Sequence, residues 1–373
     1  MRVLHVYAGN LYGGVESMLA TFARQRDLVP EMEPAFALAF DGRLADELRA
    51  AGARVDVVGG ARLSRPWTVW GARRRLGEVL RARRPDVAVF HSAWSHGIFA
   101  PAAKRLRIPA VFWLHDAVSG GAAERLARRA WPAGIVCTSA YVRETLPKLF
   151  PAGWAEVIHP AVPSPDVAPH VSERAAVRAE LGTSPDAVVI VQASRMEPWK
   201  GHRPHLEALG RLRDDPRWTC WMAGGARRPH ERVHGDEMRA LAESLGIADR
   251  VRWLGERSDV PRLLAAADVL CQPNLGPEPF GMTYVEAMYA GLPVVASDLG
   301  GAREIVDERT GLRVPTGDVP ALADALASLV GDAGMRARLG GAGPARAREL
   351  CDPARQMRHL AEFLDEITST DRW

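Results

Sequence analysis

The stretch GPEPFGMTYVEAMYAGLPVVAS, residues 276–297, decides how the rest of the chain is read. Met282, Val285, Met288, Tyr289 and Leu292 recur at helical spacing and predict a helix from about Phe280 or Gly281 to Ala290. Pro279 is tolerated in a first turn, Gly281 gives freedom near the start, Gly291 caps the end and Pro293 stops it. The apolar run that follows, 293–297, reads as a buried strand. Two carboxylates interrupt this ordinary pattern. Glu278 lies before the helix, near its N-terminal amides, and Glu286 falls four after Met282, beside the apolar stripe. A carboxylate beside apolar surface is costly unless it has a partner. A sugar diol is a natural one, because a carboxylate accepts hydrogen bonds from both hydroxyls. The spacing leaves a second reading open, in which Glu278 caps the helix and Glu286 sits on an exposed rim.

Outward from this stretch, short apolar runs alternate with amphipathic segments. Runs at 2–7, 35–40, 54–58, 86–91, 109–115 and 134–139 read as strands, with helical segments such as 15–25, 70–83 and 122–131 between them. Residues 157–170 carry four prolines and little helical periodicity, and read as a linker. The alternation then resumes with strands near 187–193, 218–223, 250–254, 268–272 and 293–297, and the amphipathic segment 351–367 ends the pattern. Alternation of this kind predicts an α/β fold of two doubly wound parallel sheets with helices on both faces. The expected division is 1–163, 164–350 and a last helix in 351–373. In such sheets ligands sit beyond the carboxyl ends of the strands, so the loops that follow strands are the candidate sites.

At 373 residues the chain is long enough for two domains, and 25% charged with 47% hydrophobic residues is ordinary globular composition. The net charge of +3 does not suggest a protein that coats nucleic acid. Cys137, Cys220, Cys271 and Cys351 are far apart and form no zinc or disulfide framework, which fits a reducing compartment. No apolar run reaches membrane-spanning length, and the N-terminus lacks the features of a signal peptide, so a cytoplasmic protein is expected.

Lysine is nearly absent: of 48 basic residues only Lys104, Lys148 and Lys200 are lysines. Lys200 lies with Arg195 in ASRMEPWKGH, the loop after the first strand of the second half. An arginine fork and a lysine point charge in one strand-to-helix loop suit a pair of phosphates. After the first strand, Gly13-Gly14 precede a helix starting near Val15, where close backbone approach and helix amides favour an anion. The Gly-x-Gly-x-x-Gly fingerprint of nicotinamide enzymes is missing there. Two further patterns read as decoys. HERVH, residues 230–234, matches a zinc-protease motif but reads as a loop leading into a helix at 236–245. The basic segment GARRRLGEVLRARRPD, 71–86, could touch anionic lipid, and a solvated face is the expectation.

The motifs Gly13-Gly14-Val15-Glu16, Arg195…Lys200-Gly201 and Glu278-Pro-Phe-Gly…Glu286, followed by Ala-Gly-Leu-Pro-Val-Val-Ala-Ser, resemble the retaining glycosyltransferases of family four. The resemblance in motif order spans nearly the whole chain. It implies the GT-B fold, two Rossmann-like domains facing across a cleft, with the last helix crossing back to the first. It implies that Glu286 holds the ribose hydroxyls of a nucleotide sugar, that Glu278 lies near the transferred sugar, and that the amides of Phe280, Gly281 and Met282 contact sugar and phosphates. By the same likeness Arg195 and Lys200 neutralise the diphosphate, Gly13 and Gly14 approach it from the first domain, and His115 lies near the donor sugar. Glu278, His115, Arg195 and Lys200 form the expected catalytic set. Tyr12, His91 and Trp94 are candidate acceptor contacts, with His96 in the same loops, although they match no pattern tied to a substrate. VIHPAVP stands where many members carry Pro-Asn-Gly.

The implied reaction is metal-independent transfer of a hexose-type sugar, with retention, from a nucleoside diphosphate sugar (a UDP-sugar foremost, then guanosine diphosphate) to a hydroxyl of a glycan, lipid-linked sugar or natural product. No Asp-x-Asp occurs to hold a metal, and no cofactor is expected. A nucleotide-sugar epimerase or hydrolase on the same fold is the alternative enzyme, and a two-lobed solute-binding protein the alternative of another class.

Overall fold

Every apolar run read as a strand becomes one in the computed structural model, which describes residues 1–10, 13–165 and 171–370. The chain divides into two units: Met1–Pro163 with Cys351–Trp373, and Ser164–Leu350. The first unit holds strands β1 (Arg2–Tyr7), β2 (Glu33–Leu38), β3 (Arg54–Val57), β4 (Val87–His91), β5 (Ala110–Leu114), β6 (Gly134–Cys137) and β7 (Ala155–Val157). They pair in the order β3-β2-β1-β4-β5-β6-β7, all parallel. The second unit holds β8 (Val188–Ala193), β9 (Trp218–Ala223), β10 (Val251–Gly255), β11 (Val269–Gln272), β12 (Val294–Ser297) and β13 (Gly311–Val314), in the order β10-β9-β8-β11-β12-β13, again all parallel. Each sheet reverses its strand order once, next to β1 in the first unit and next to β8 in the second. Such reversals leave a crevice at the strand ends.

Both faces of each sheet are covered, which is why the strands are continuously apolar rather than alternating. In the first unit strand parity divides the core. Val3, Phe36, Val87, Val89, Val111 and Trp113 face Phe22 and the last helix, while Leu4, Val6, Ala88 and Phe90 face Leu76, Leu80, Ile98 and Phe99. The last helix, Pro353–Ser369, is N-capped by Asp352, whose carboxylate accepts from the Arg355 amide. It buries Met357, Leu360, Phe363, Leu364 and Ile367 in the first unit's core.

Two strands were not legible. β7 is a three-residue, half-buried edge strand, and β13 is a four-residue edge strand with Leu312 half-buried and Arg313 exposed, so neither is an apolar run. HERVH is helical, not a loop: the helix runs Pro229–Ser244, because Pro229 suits a first turn and Glu231 ties its own helix start. The Glu231 carboxylate accepts from the amides of Arg227 and Arg228, at 2.6 and 3.0 Å. The basic helix begins earlier than expected, at Pro66, and ends at Arg83.

Candidate active site

The second sheet's strand-order reversal lies between β8 and β11, and the loops leaving these two adjacent strands carry the residues singled out in sequence. After β8 comes Ser194 to Lys200, ending in a short turn over Pro198–Lys200. Gly201 then adopts φ +76°, and a Cβ there would lie 1.8 Å from the Pro273 carbonyl oxygen, so only glycine lets this loop pass against the one after β11. After β11 comes Pro273 to Gly281, leading into the helix Met282–Tyr289. Gly281, at φ +110°, is its N-terminal cap, and Gly291, at φ +74°, follows its end as predicted.

This packing brings Lys200 to Glu278. The Lys200 ammonium lies 2.5 Å from Glu278 Oε2, which also accepts from the Asn274 side-chain amide at 2.9 Å. The Lys200 ammonium also lies 4.0 Å from the centre of the Trp199 ring. Both charged side chains are largely buried. Arg195 is more open, 48% exposed, and is held by Glu197 at 3.1 Å with Glu231 at 3.9 Å. The backbone of the lysine is fixed from beneath: Gln192 Nε2 donates to the Lys200 carbonyl at 2.8 Å, and Gln192 Oε1 lies 2.8 Å from His205 Nδ1. Gln192 and His205 are fully buried, so this buttress is part of the core.

Glu286 is the other half of the arrangement. It lies on Met282–Tyr289, half-buried, and among the described residues its carboxylate has no hydrogen-bond or ion-pair partner. Burial raises its carboxyl above the ordinary value. Phe280 is buried, and Gly281 and Met282 are half-buried at the same helix start. Two cations, a paired carboxylate, an unpaired carboxylate and a helix N-terminus thus lie on the segments that follow the adjacent strands β8 and β11. The set suits a ligand with both anionic groups and hydroxyls.

In the first unit, Gly13 is the N-terminal cap of the helix Gly14–Arg24, and its amide donates to Glu16 at 3.0 Å. His5, His91 and His115 sit on or just after the neighbouring strands β1, β4 and β5 at one parity, and line up beneath their ends. His5 Nδ1 is 2.9 Å from His91 Nε2, His91 Nδ1 is 3.0 Å from His115 Nε2, and His115 Nδ1 is 3.2 Å from Thr138 Oγ1. His91 and His115 stack at 17°, and Trp113 lies nearly parallel to His115 at 10°. Burial lowers His5 and His115 to about 3 and His91 well below its usual value, so all three rings are neutral at pH 7. Both nitrogens of His115 are thus within hydrogen-bond distance of protein partners.

The acceptor contacts expected from sequence fare differently. His91 is fully buried with both ring nitrogens bonded to other histidines; it is core, and the expectation that it touches an acceptor is corrected. His96 is likewise core, its Nε2 2.6 Å from the Ala130 carbonyl. Trp94 is half-buried, edge-on to Phe99. Tyr12 lies outside the described residues. The zinc-protease pattern gains no support: Glu231 is tied to its helix start, His234 is buried beside His202, and no cluster of three or more potential metal ligands occurs among the described residues.

Comparison with known proteins follows the same division. The profile described as Glycosyltransferase Family 4 matches residues 12–164, and that described as Glycosyl transferases group 1 matches residues 173–346. The chain belongs to glycosyltransferase family 4. Its two Rossmann-like parallel-sheet units have the GT-B architecture of the family.

Among the relatives of this family 4 chain is phosphatidyl-myo-inositol mannosyltransferase of Mycobacterium leprae, 44% identical over 117 residues, which is 31% of this chain and 31% of that protein. Another is D-inositol 3-phosphate glycosyltransferase of Xylanimonas cellulosilytica, 35% identical over 188 residues, 50% of this chain and 44% of that protein. The chain thus spans about a third to a half of the length of the curated relatives it matches. HepE of Anabaena, solved in complex with UDP, is similar over 98% of this chain and 100% of that one, at 25% identity and a TM-score of 0.87. HepE has also been solved with UDP-glucose.

Proposed function

We propose that this family 4 chain transfers a hexose-type sugar from a nucleoside diphosphate sugar, a UDP-sugar foremost, to a hydroxyl of a glycan, lipid-linked sugar or natural product. We take the transfer to be metal-independent and to retain anomeric configuration. The observation that carries the reading is Glu286: a half-buried carboxylate without a partner among the described residues, on the helix that follows the loop holding Glu278, the partner of Lys200. A ribose diol satisfies the carboxylate, and the diphosphate of the same molecule satisfies the cations. The HepE complexes with UDP and UDP-glucose support a uridine donor.

Departure of the diphosphate builds negative charge on its leaving oxygen. Lys200 and Arg195 are fixed donors for that charge, aided by the first-turn amides of Met282–Tyr289, and losing one such donor typically costs ~3 kcal/mol. These cations do the work that a divalent ion does elsewhere. Glu278, held by Lys200 and Asn274, is tied in place as a hydrogen-bond acceptor for sugar hydroxyls, which suits positioning better than nucleophilic attack. We therefore take the acceptor hydroxyl to enter on the face the diphosphate leaves. The bond from the anomeric carbon to the phosphate oxygen breaks, that to the acceptor oxygen forms, and the hydroxyl proton passes to the departing phosphate. His115 serves this scheme as a neutral, held ring and not as an acid or base.

A thermal-shift panel of nucleotide sugars, followed by nuclear magnetic resonance of the product, tests the proposal. A UDP-sugar should raise the melting temperature most, and the product should keep the donor's anomeric configuration with a chelator present. An inverted product overturns retention, and loss of turnover on chelation overturns metal independence. Consumption of donor at the same rate without acceptor points to the hydrolase or epimerase instead.

A further inference from the structure

Glu231 and His234 are buried, with Gly235 and Met238, at the i, i+3, i+4 and i+7 positions of one face of the helix Pro229–Ser244. Such a face is ordinarily apolar, yet its first two positions are polar, and both reach the segment that carries Arg195 and Lys200. The loops after β8 and β9 are pressed together there. The Ser194 amide donates to the Ala223 carbonyl at 2.9 Å and the Met196 amide to the Gly225 carbonyl at 3.2 Å. A Cβ on Gly224 would lie 1.7 Å from the Ser194 carbonyl oxygen. His234 Nε2 lies 3.4 Å from His202 Nδ1, and His202 Nε2 lies 3.3 Å from Ser194 Oγ, so these rings brace the helix against the loop.

Glu231 uses its two oxygens differently. Oε2 accepts from the amides of Arg227 and Arg228 and completes the helix start. Oε1 is buried, has no hydrogen-bond partner among the described residues, and faces Arg195 Nη1 at 3.9 Å. A cap needs only the first oxygen, and a buried anionic oxygen without a donor is costly unless a cation is near. Burial opposes the charge of this carboxyl, but the amides of Arg228 and Arg227 and the Arg195 cation bring it below the ordinary value, so it is ionised at pH 7. Arg195 Nη2 lies 3.1 Å from Glu197 Oε2, which also accepts from the Trp199 indole at 3.1 Å. A carboxylate thus stands near each η nitrogen of the guanidinium. Glu231 is beyond hydrogen-bond distance, so it attracts Nη1 through charge alone and leaves its N–H groups for a ligand.

We propose that Glu231 is a positioning residue for sugar transfer, aiming the Arg195 guanidinium at the donor diphosphate from behind the loop. The proposal rests on the reading of Arg195 as a diphosphate contact. A half-exposed arginine is otherwise free to sample many rotamers, and one already aimed loses less freedom on meeting an anion. Glu231→Gln separates the two duties of the side chain. The amide oxygen still accepts from both backbone N–H groups, whereas the NH2 group turns a neutral donor towards the arginine and no longer attracts it.

Calorimetric titration of the chain with UDP and with guanosine diphosphate tests it. Arg195→Ala should weaken binding of the better ligand roughly tenfold or more. Glu231→Gln should weaken it roughly fivefold or more, with far-ultraviolet circular dichroism unchanged, and should add little in the Arg195→Ala background. Glu231→Asp keeps the charge at a longer reach and should bind more tightly than Glu231→Gln, whereas a cap alone gives the two equal affinity. Should Glu231→Gln not fold, Glu231→Asp takes its place in the same cycle, with a loss of about threefold that Arg195→Ala abolishes. Normal affinity in Glu231→Gln, or a loss that persists in full without Arg195, overturns this proposal alone. Binding of neither nucleotide by the unaltered chain, or an Arg195→Ala variant that binds as tightly, overturns the diphosphate reading and this proposal with it.

Discussion

The Lys200 ammonium and the Glu278 carboxylate, 78 residues apart in sequence, meet at 2.5 Å where the loops after β8 and β11 cross. The residue assigned to the diphosphate and the one assigned to the sugar are therefore a single electrostatic unit before any donor arrives. Replacing Lys200 by alanine removes the cation and leaves the Asn274 amide donating to the Glu278 carboxylate. Lys200→Ala should lower turnover about a hundredfold or more with the fold intact. Its effect should not add to that of Glu278→Gln, because the two share one interaction. Steady-state kinetics of the single and double variants check this, and near-normal turnover in Lys200→Ala removes the phosphate role.

Glu286 gives a pH dependence with a definite sign. Its carboxyl is raised by burial, so the folded chain holds a proton that the unfolded chain releases at lower pH. Stability therefore falls as pH rises through the window between the two values, and the penalty is fully present above it. Glu286→Gln should raise the melting temperature of the free protein at pH 7. Donor binding needs the ionised form, so kcat/KM for the donor should fall at a higher pH than an ordinary carboxylate gives, and Glu286→Gln should lose that limb. Glu286→Ala should act mainly on the donor KM. An unchanged KM removes the ribose contact.

The buttress under Lys200 is testable apart from the charge. Gln192→Leu leaves the Lys200 carbonyl without its donor while keeping volume in the core. A shift of the loop by about an ångström costs on the order of a hundredfold in rate. Turnover should drop ~10–100-fold while the donor KM moves little. A larger effect on KM than on turnover contradicts a positioning role.

The buried histidines make the protein acid-sensitive. His5, His115, His202 and His205 lie at about 3 in the folded chain and His96 at about 4, all through burial first. A folded value below the unfolded one means that unfolding takes up protons, so stability is full above pH ~6.5 and is lost as pH falls below it. Each such group contributes a slope of up to ~1.4 kcal/mol per pH unit. Melting temperature should fall as pH drops from about 6.5 towards 3, the span between the unfolded and folded values of these groups. The row itself should be ordered: a buried lone acceptor is more tolerable than a buried lone N–H, and His5 Nε2 is the unpartnered end. Nitrogen-15 spectra should show His5, His91 and His115 protonated on Nδ1.

Asp268 carries a structural prediction in the second unit. It accepts from Arg174, Arg178 and the Val189 amide, at 2.5, 2.6 and 2.7 Å, and so ties the helix Val171–Glu180 to the start of β8. Arg178 is buried, so Asp268→Ala leaves a buried cation without its counter-charge. The cost should be ~3–5 kcal/mol, or roughly 10 °C in the transition of that unit, with Asp268→Asn milder. Calorimetry distinguishes the two.

Fold and chemistry were not equally legible. The strands could be read because sheets covered on both faces need continuous apolar runs, and β13 escaped because it lacks one. Lys200 stood out through the scarcity of lysine, and Glu286 through its place beside a helical stripe. Gln192 and His205 were missed because their partners are a backbone carbonyl and a side chain on another element, and Asn274 because its partner Glu278, only four residues on, is reached through the turn before the helix. The histidine row was missed for another reason. His91 and His115 were each weighed alone, whereas strand parity and the adjacency of β1, β4 and β5 place them with His5 on one face. That signal was present, but using it required the strand order.

The docking of Pro353–Ser369 into the first unit's core has a consequence for synthesis. A ribosome delivers the chain in order, yet Met357, Phe363 and Ile367, which complete that core, emerge after the whole of the second unit. The second unit is contiguous, Ser164–Leu350, and has all its residues while the first still waits. The order of maturation is thus reversed relative to the order of translation, and the nascent N-terminal sheet keeps part of one apolar face uncovered until the second unit has been made.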